Sequence, residues 1–149
     1  MEHQRQGLDA RLQAMAVDYV LERPEDWAFS RSPEIACLGV GRYVENALGR
    51  SVRDEQWDPG GPFLRQLGDQ PWPIRPLSDC RTKNDGTEGL EGSERPAMVV
   101  AVPQVNWRSP DVGTILVYVQ ESTFRRHRYE CEVERLAGEW SLNYCLFRR

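Results

Sequence analysis

The sequence predicts an α+β fold in which N-terminal helices pack on a curved, antiparallel, four-stranded meander. Three features predict this fold: an amphipathic stripe near the N-terminus, a helix-start signal at residues 32–34, and four strand-like segments in the last third. With 149 residues, 40% of them hydrophobic, the chain is expected to form one domain, 1–149, around its own core. We expect a polar tail over 1–7, a long loop over 54–96 and the sheet over 97–149.

The first helix is predicted over about Asp9 to Glu22. Its apolar side chains recur at steps of four, three and four, at Leu8, Leu12, Met15 and Tyr19. Pro24 ends the helix, because proline disfavours helical geometry in the residue before it and has no backbone N–H to donate.

A second helix is predicted from residues 32–34 to about Leu48. Ser32-Pro33-Glu34 combines a hydroxyl cap, proline at the first helical position and an acid near the positive end of the helix dipole. Gly39 and Gly41 each cost about 1 kcal/mol inside a helix. The alternative is therefore two short helices that meet at these glycines.

The segment 54–96 differs in composition from the rest of the chain. It holds six glycines, six prolines and nine acidic residues against five basic ones. Such a composition predicts little regular structure. We expect its apolar first part to lie against the domain and residues 83–94 to be mobile.

The last third predicts four strands separated by turn residues, namely Met98 to Trp107, Thr114 to Glu121, Arg128 to Arg135 and Trp140 to Phe147. Pro103 favours an edge position or a bulge for the first strand. In the third strand, alternation predicts Tyr129, Cys131 and Val133 in the core and Glu130, Glu132 and Glu134 facing solvent.

The register of the last hairpin follows from a tight turn at Ala137-Gly138. This turn pairs Val133 with Leu142, Cys131 with Tyr144 and Tyr129 with Leu146, which collects apolar side chains on one face. A slip by one residue would pair Cys131 with Cys145, but it would also bring Glu134 beside Leu142. The pattern therefore argues against a disulfide, and we expect Cys37, Cys80, Cys131 and Cys145 to be free thiols in a reducing cytosol.

The turn Ala137-Gly138-Glu139, followed by Trp140 at the start of the last strand, resembles the cystatin-like and nuclear-transport-factor-2-like superfamily of α+β rolls. The resemblance covers the last fifty residues, and the segment 54–96 departs from it. It implies a concave pocket between helix and sheet that some members use for small ligands or catalysis and others for protein association. The candidate pocket residues are Tyr129, Cys131, Trp140 and Tyr144.

Charge and motifs narrow the function classes. A net charge of −4 is the wrong sign for a dedicated nucleic-acid binder, and no run of about 18 apolar residues would span a membrane. The polar N-terminus lacks the apolar core of a secretion signal, so we expect a cytoplasmic protein. With only two histidines and no nucleophile, phosphate-loop or metal motif, we predict no catalytic residue, cofactor or metal site.

Two charged segments are candidate contact sites. Arg125, Arg126, His127 and Arg128 form the densest basic cluster, which either docks an anion or an acidic protein surface or is a solvated hairpin tip. The acidic residues Asp79, Asp85, Glu88, Glu91 and Glu94 either complement a basic partner or make a loop soluble.

The favoured function is a non-catalytic module that binds a protein or a small apolar ligand. One alternative is a small hydrolase or isomerase that works in an apolar cavity between helix and sheet. Another is an acidic immunity or adaptor protein with a basic partner. A homodimer through the outer sheet face is also open, since Leu116 and Tyr118 would need to be covered.

Overall fold

A computed structural model of the chain describes residues 2–23, 33–41, 56–70, 72–122 and 125–148. The helices of these residues are α1, Glu2–Leu21, and α2, Gly61–Gln66. Their strands are β1 Ile35–Gly41, β2 Gln56–Trp57, β3 Ile74–Pro76, β4 Cys80–Thr82, β5 Glu88–Leu90, β6 Ala97–Pro103, β7 Asn106–Ser109, β8 Val112–Ser122, β9 Arg125–Leu136 and β10 Glu139–Arg148.

In the described part of the chain, eight strands form one mixed sheet and β4 and β5 form a separate hairpin. The order is β10-β9-β8-β6-β1-β2, with β3 beside β1 and β7 beside β8. β1 runs parallel to β3 and β6, whereas the other pairs are antiparallel. The predicted fold of helices on a four-stranded meander is therefore wrong: the meander is one side of a larger, mixed sheet.

The long helix α1 covers one face of this sheet. Leu12, Val17, Val20 and Leu21 of α1 are fully buried against side chains of the sheet. We call this the helix face; its buried side chains are Ala36, Leu38, Met98, Val100, Val102, Ile115, Val117, Val119, Tyr129, Cys131 and Val133. α1 begins at Glu2, so residues 2–7 are helical rather than the predicted tail.

The predicted second helix is wrong over its described part, where β1 runs from Ile35 to Gly41. β1 lies inside the sheet between β6 and β3, and both of its faces are covered: Ala36 and Leu38 belong to the core under α1, and Ile35 and Cys37 pack with Cys80 of the hairpin. A strand covered on both faces shows a continuous apolar run rather than alternation. Residues 42–48 of the predicted helix lie outside the described residues.

The predicted long loop over 54–96 instead contains several short elements. α2 packs on α1, β2 and β3 extend the sheet, and the β4–β5 hairpin lies on the outer face, the one opposite α1. A disulfide between Cys37 of β1 and Cys80 of β4 ties the hairpin to the sheet. Residues 83–94, expected to be mobile, form the hairpin's turn and second strand, with backbone hydrogen bonds such as Lys83 N–H to Thr87 O at 2.8 Å.

The four strands expected in the last third are present, with one break. The first ends at Pro103 and resumes as β7, so that β6 and β7 lie along the same edge of β8. Of the two alternatives predicted at Pro103, the edge position is wrong, because β6 is an interior strand between β8 and β1; the pairing with β8 is instead interrupted between Ala101 and Asn106. Proline is tolerated because Pro103 lies in this interruption, where no ladder hydrogen bond to β8 requires its missing N–H.

The last hairpin combines both of the registers weighed from the sequence. Ala137 and Gly138 form the tight turn, with φ of 52° and 81°, and Val133 faces Leu142 as predicted. A β-bulge at Asn143 then adds one residue, so that Cys131 faces Cys145 and forms a disulfide with it. The prediction of free thiols is therefore wrong. The bulge keeps Glu134 away from Leu142, which was the argument against this pairing.

Candidate interaction surface

The bulge at Asn143 determines which side chains of β10 reach each face of the sheet. Before it, Trp140 and Leu142 lie on the helix face; after it, Cys145 and Phe147 do, opposite Cys131 and Tyr129. Tyr144 and Leu146 consequently lie on the outer face, opposite Glu132 and Glu130. They are 42% and 43% exposed.

The four candidate pocket residues do not line a common cavity. Tyr129 and Cys131 are at most 1% exposed in the core under α1, and the Cys131 thiol is consumed by its disulfide. Trp140 is half-buried and packs edge-on against Trp107, with ring centroids 5.2 Å apart. Tyr144 lies on the opposite face. A ligand therefore has no access to Tyr129 or Cys131 in this arrangement.

Polar side chains of α1 also make hydrogen bonds that hold the helix in place. The Trp107 indole N–H donates to Asp9 Oδ1 at 3.2 Å, and the buried Gln13 amide donates to Pro103 O at 2.7 Å. Further along α1, Asp18 accepts the Gly68 N–H at 3.2 Å. Burial raises the pKa of the Asp18 carboxyl above its ordinary value of 3.8, because water no longer stabilises its charge fully. These contacts fix α1 on the sheet.

The predicted basic cluster is divided between the two faces. Alternation along β9 places Arg126 and Arg128 on the outer face, where both are exposed. His127 lies on the helix face, half-buried, with its ring 5.4 Å from that of Phe147. Arg125 lies 3.8 Å from Glu121 across the turn. The four side chains therefore do not converge on one anion.

The carboxylates of the acidic segment are also less exposed to solvent than the sequence predicts. Glu88 is only 1% exposed and accepts a 2.5 Å hydrogen bond from the Thr82 hydroxyl. Asp79 is paired with Arg75 at 2.7 Å, and Asp85 accepts the Thr87 hydroxyl. Asp85, Glu91 and Glu94 are exposed. Beside them is an open hollow of about 670 Å³ that is lined by residues of both charges, Arg81, Lys83, Asn84, Asp85, Gly92, Ser93 and Glu94.

The outer face of β8 is not an open apolar patch. Leu116 is 8% exposed and Tyr118 is half-buried, so these two side chains do not present the surface predicted for a homodimer. Most of the large exposed apolar side chains of the described residues lie instead on the β9–β10 hairpin, at Leu136, Tyr144 and Leu146; a further one, Leu64, is on α2.

Next to Tyr144 and Leu146 runs a row of acids on β9, which we call the acidic row: Glu130, Glu132 and Glu134. All three lie on the outer face, as predicted. The Asn143 amide donates to Glu132 at 3.1 Å and to Glu134 at 2.8 Å, and the Arg108 guanidinium lies 3.6 Å from Glu132. The extra residue of the bulge thus has a polar partner on the neighbouring strand.

The backbone of β10 is open on its other side. No described strand pairs with that edge. The Cα atoms of Cys131 and Cys145 are 3.9 Å apart. Antiparallel partners lie about 5.5 Å apart in a hydrogen-bonded pair and about 4.5 Å apart in a non-hydrogen-bonded one, so this pair is of the non-hydrogen-bonded type. The N–H and C=O of Cys145, and those of Phe147 two residues on, therefore point away from β9 to the open edge.

We call this edge, with the exposed side chains beside it, the β10 edge: residues Tyr144–Arg148. Sequence reasoning missed this edge, because an unbroken alternation along the hairpin predicts that Tyr144 and Leu146 lie in the core. One sequence signal was present: Val133 can face Leu142 while Cys131 faces Cys145 only if β10 carries one extra residue between these two pairs, as it does between Leu142 and Tyr144.

Comparison with protein-family models, curated proteins and solved structures gives no match for this chain. The resemblance to the cystatin-like and nuclear-transport-factor-2-like superfamily stays a prediction. Neither of the described helices has the length and apolarity to cross a membrane. Among the described residues, no three His, Cys, Asp or Glu side chains are grouped to hold a metal ion.

Proposed function

We propose that the protein is a non-catalytic protein-binding module, and that an extended segment of a partner chain adds as a strand to the β10 edge. The observation that carries the proposal is the coincidence, on one strand, of outward-pointing backbone groups and two exposed apolar side chains, Tyr144 and Leu146. An edge strand of this kind is a template for another chain, and natural proteins normally protect it.

Each part of the edge has a separate role in this binding. The backbone groups of Cys145 and Phe147 supply main-chain hydrogen bonds, which do not depend on the partner's sequence. Leu146 and Tyr144 supply the selectivity, because an incoming strand places its alternate side chains directly beside them. The acidic row lies one strand further in and disfavours acidic partners.

The burial of the candidate pocket residues supports a protein-binding module over the enzyme alternative. That alternative needs a cavity between helix and sheet, where Tyr129 and Cys131 are buried and Cys131 has no thiol to offer. The acidic adaptor alternative keeps Asp85, Glu91 and Glu94 as exposed carboxylates but loses Glu88, which is buried, and Asp79, which is paired with Arg75. The predicted cytoplasmic location remains a prediction; disulfides are more typical of oxidising compartments.

The test uses the whole chain and a phage-displayed library of random linear peptides as the probe. We expect selected peptides to slow amide hydrogen exchange at Cys145 and Phe147, because those N–H groups become hydrogen-bonded to the peptide. Leu146→Lys should abolish the binding. Leu64→Lys, which changes an equally exposed leucine on α2, should leave it intact. Peptides that bind without protecting β10, or a chain that stays monomeric and yields no binder from the library, would refute the proposal.

A further inference from the structure

We infer that the strand that occupies the β10 edge belongs to a second copy of this chain, in a twofold dimer centred on Leu146. This inference rests on the proposed use of the β10 edge and names its partner. It follows from three features of that edge: the length of its regular part, the positions of its outward backbone groups, and the direction of charge along β9.

The regular part of the edge pairs with itself without a mismatch. After the bulge, Tyr144–Arg148 is a five-residue stretch whose outward backbone groups belong to Cys145 and Phe147. Antiparallel pairing about Leu146 sets Cys145 of one copy opposite Phe147 of the other, twice. Each of the two pairs exchanges two main-chain hydrogen bonds, so all four outward N–H and C=O sets find partners. The bulge at Asn143 lies outside the paired stretch.

The exposed side chains are covered in the same register. Leu146 faces Leu146 of the second copy in a non-hydrogen-bonded pair, where side chains approach most closely. Both leucines, each 43% exposed in the single chain, then lie at the centre of the contact. Tyr144 flanks this pair on either side, and the interface has the apolar centre expected of a homodimer.

Charge along β9 favours the antiparallel direction. Arg126 and Arg128 stand at one end of the strand's outer face and the acidic row at the other. In the dimer, Glu132 of one copy shares a row of side chains with Arg128 of the second copy, about 14 Å away across three strand spacings. The attraction is screened at that distance, but its sign is favourable.

The first experiment measures molar mass against concentration by light scattering and sedimentation equilibrium on the whole chain. We expect a shift from 17.2 kDa to twice that mass as concentration rises. Leu146→Lys places two ammonium groups beside each other at the twofold axis and should raise the dimer dissociation constant at least about tenfold. Leu64→Lys adds the same charge elsewhere and should not. A dimer that survives Leu146→Lys unchanged would overturn the inference.

A second experiment tests the register and does not depend on that substitution. Under mild oxidation, Leu146→Cys should form a disulfide between copies, because the two residues face each other. Tyr144→Cys should not, because the two copies of residue 144 are four positions, or about 13 Å, apart along the strands. Peptide mapping must find the 146–146 link. Equal cross-linking of both variants, or none, contradicts this dimer.

The two proposals fail differently. A chain that stays monomeric at every concentration, while selected peptides still protect Cys145 and Phe147, refutes the dimer and leaves the protein-binding module in place. A monomer that also fails to bind any peptide at β10 refutes both.

Discussion

Breaking the disulfide between Cys37 and Cys80 should destabilise the protein more than breaking the one between Cys131 and Cys145. The first closes a loop across a sequence separation of 43 residues and the second across 14. In the chain-entropy treatment a loop of the first size is worth about 4 kcal/mol and one of the second size about 3 kcal/mol. Either value is a large part of the roughly 5–15 kcal/mol that stabilises a typical domain.

The packing around the two disulfides increases the difference. Cys37 and Cys80 belong to the small outer cluster with Ile35 and Ala97, which joins the β4–β5 hairpin to the sheet. Cys131 and Cys145 join strands that are already paired along their length and packed under α1. Loss of the first disulfide therefore also removes side chains from the hairpin's only described apolar cluster.

The assay is urea unfolding, followed by tryptophan fluorescence, of the double variants Cys37→Ala with Cys80→Ala and Cys131→Ala with Cys145→Ala. We expect the first to lower the free energy of unfolding by about 4 kcal/mol, which for a chain of this size lowers Tm by roughly 8–16 °C. Non-reducing peptide mapping of the unmodified chain must recover the same two pairs. Equal losses in the two variants, or other pairings in the map, would refute this reasoning.

Three further substitutions test the elements that hold the site in place. Ala137→Asn should raise the free energy of unfolding by about 1 kcal/mol in urea titrations, because asparagine tolerates the positive φ of 52° better than alanine. The folded state holds the Asp18 proton more tightly than the unfolded state, so the contribution of Asp18 to stability falls as pH rises from 3.8 through its raised pKa. Asn cannot ionise, so the stability of Asp18→Asn relative to the unmodified chain should increase from acid to neutral pH. Gln13→Ala should lower Tm, with a loss of roughly 1–3 kcal/mol, because the buried Pro103 carbonyl loses its donor.

The parts of the fold that sequence predicted are those where local pattern and tertiary environment agree. The stripe of α1 predicts the helix itself, although Leu12 alone of its four residues is fully buried. The alternation of β9 describes a strand with one buried and one more exposed face, and such elements carry their period in the sequence. β1 does not, because it is covered on both faces and its run of apolar residues has no period. The helix-start signal at Ser32-Pro33-Glu34 was then opposed only by Gly39 and Gly41, whose cost did not outweigh it.

The segment 54–96 was misread for a related reason. β3, β4 and β5 are three residues each, too short to show any period, and their stability comes from partners far along the chain. Cys37 and Cys80, the residues that join this segment to the sheet, are a pair that sequence alone cannot match among four cysteines.

The candidate surface depended on a single residue. Parity is a strict rule only while a strand is regular, and one extra residue at Asn143 reverses the face of everything before or after it. Both of the constraints weighed from the sequence were correct: Val133 faces Leu142, and Glu134 avoids it. What failed was the assumption that one register must satisfy the whole hairpin. The bulge that preserves those contacts also turns Tyr144 and Leu146 outward, so the feature that completes the core of the hairpin exposes the edge through which we expect the chain to bind.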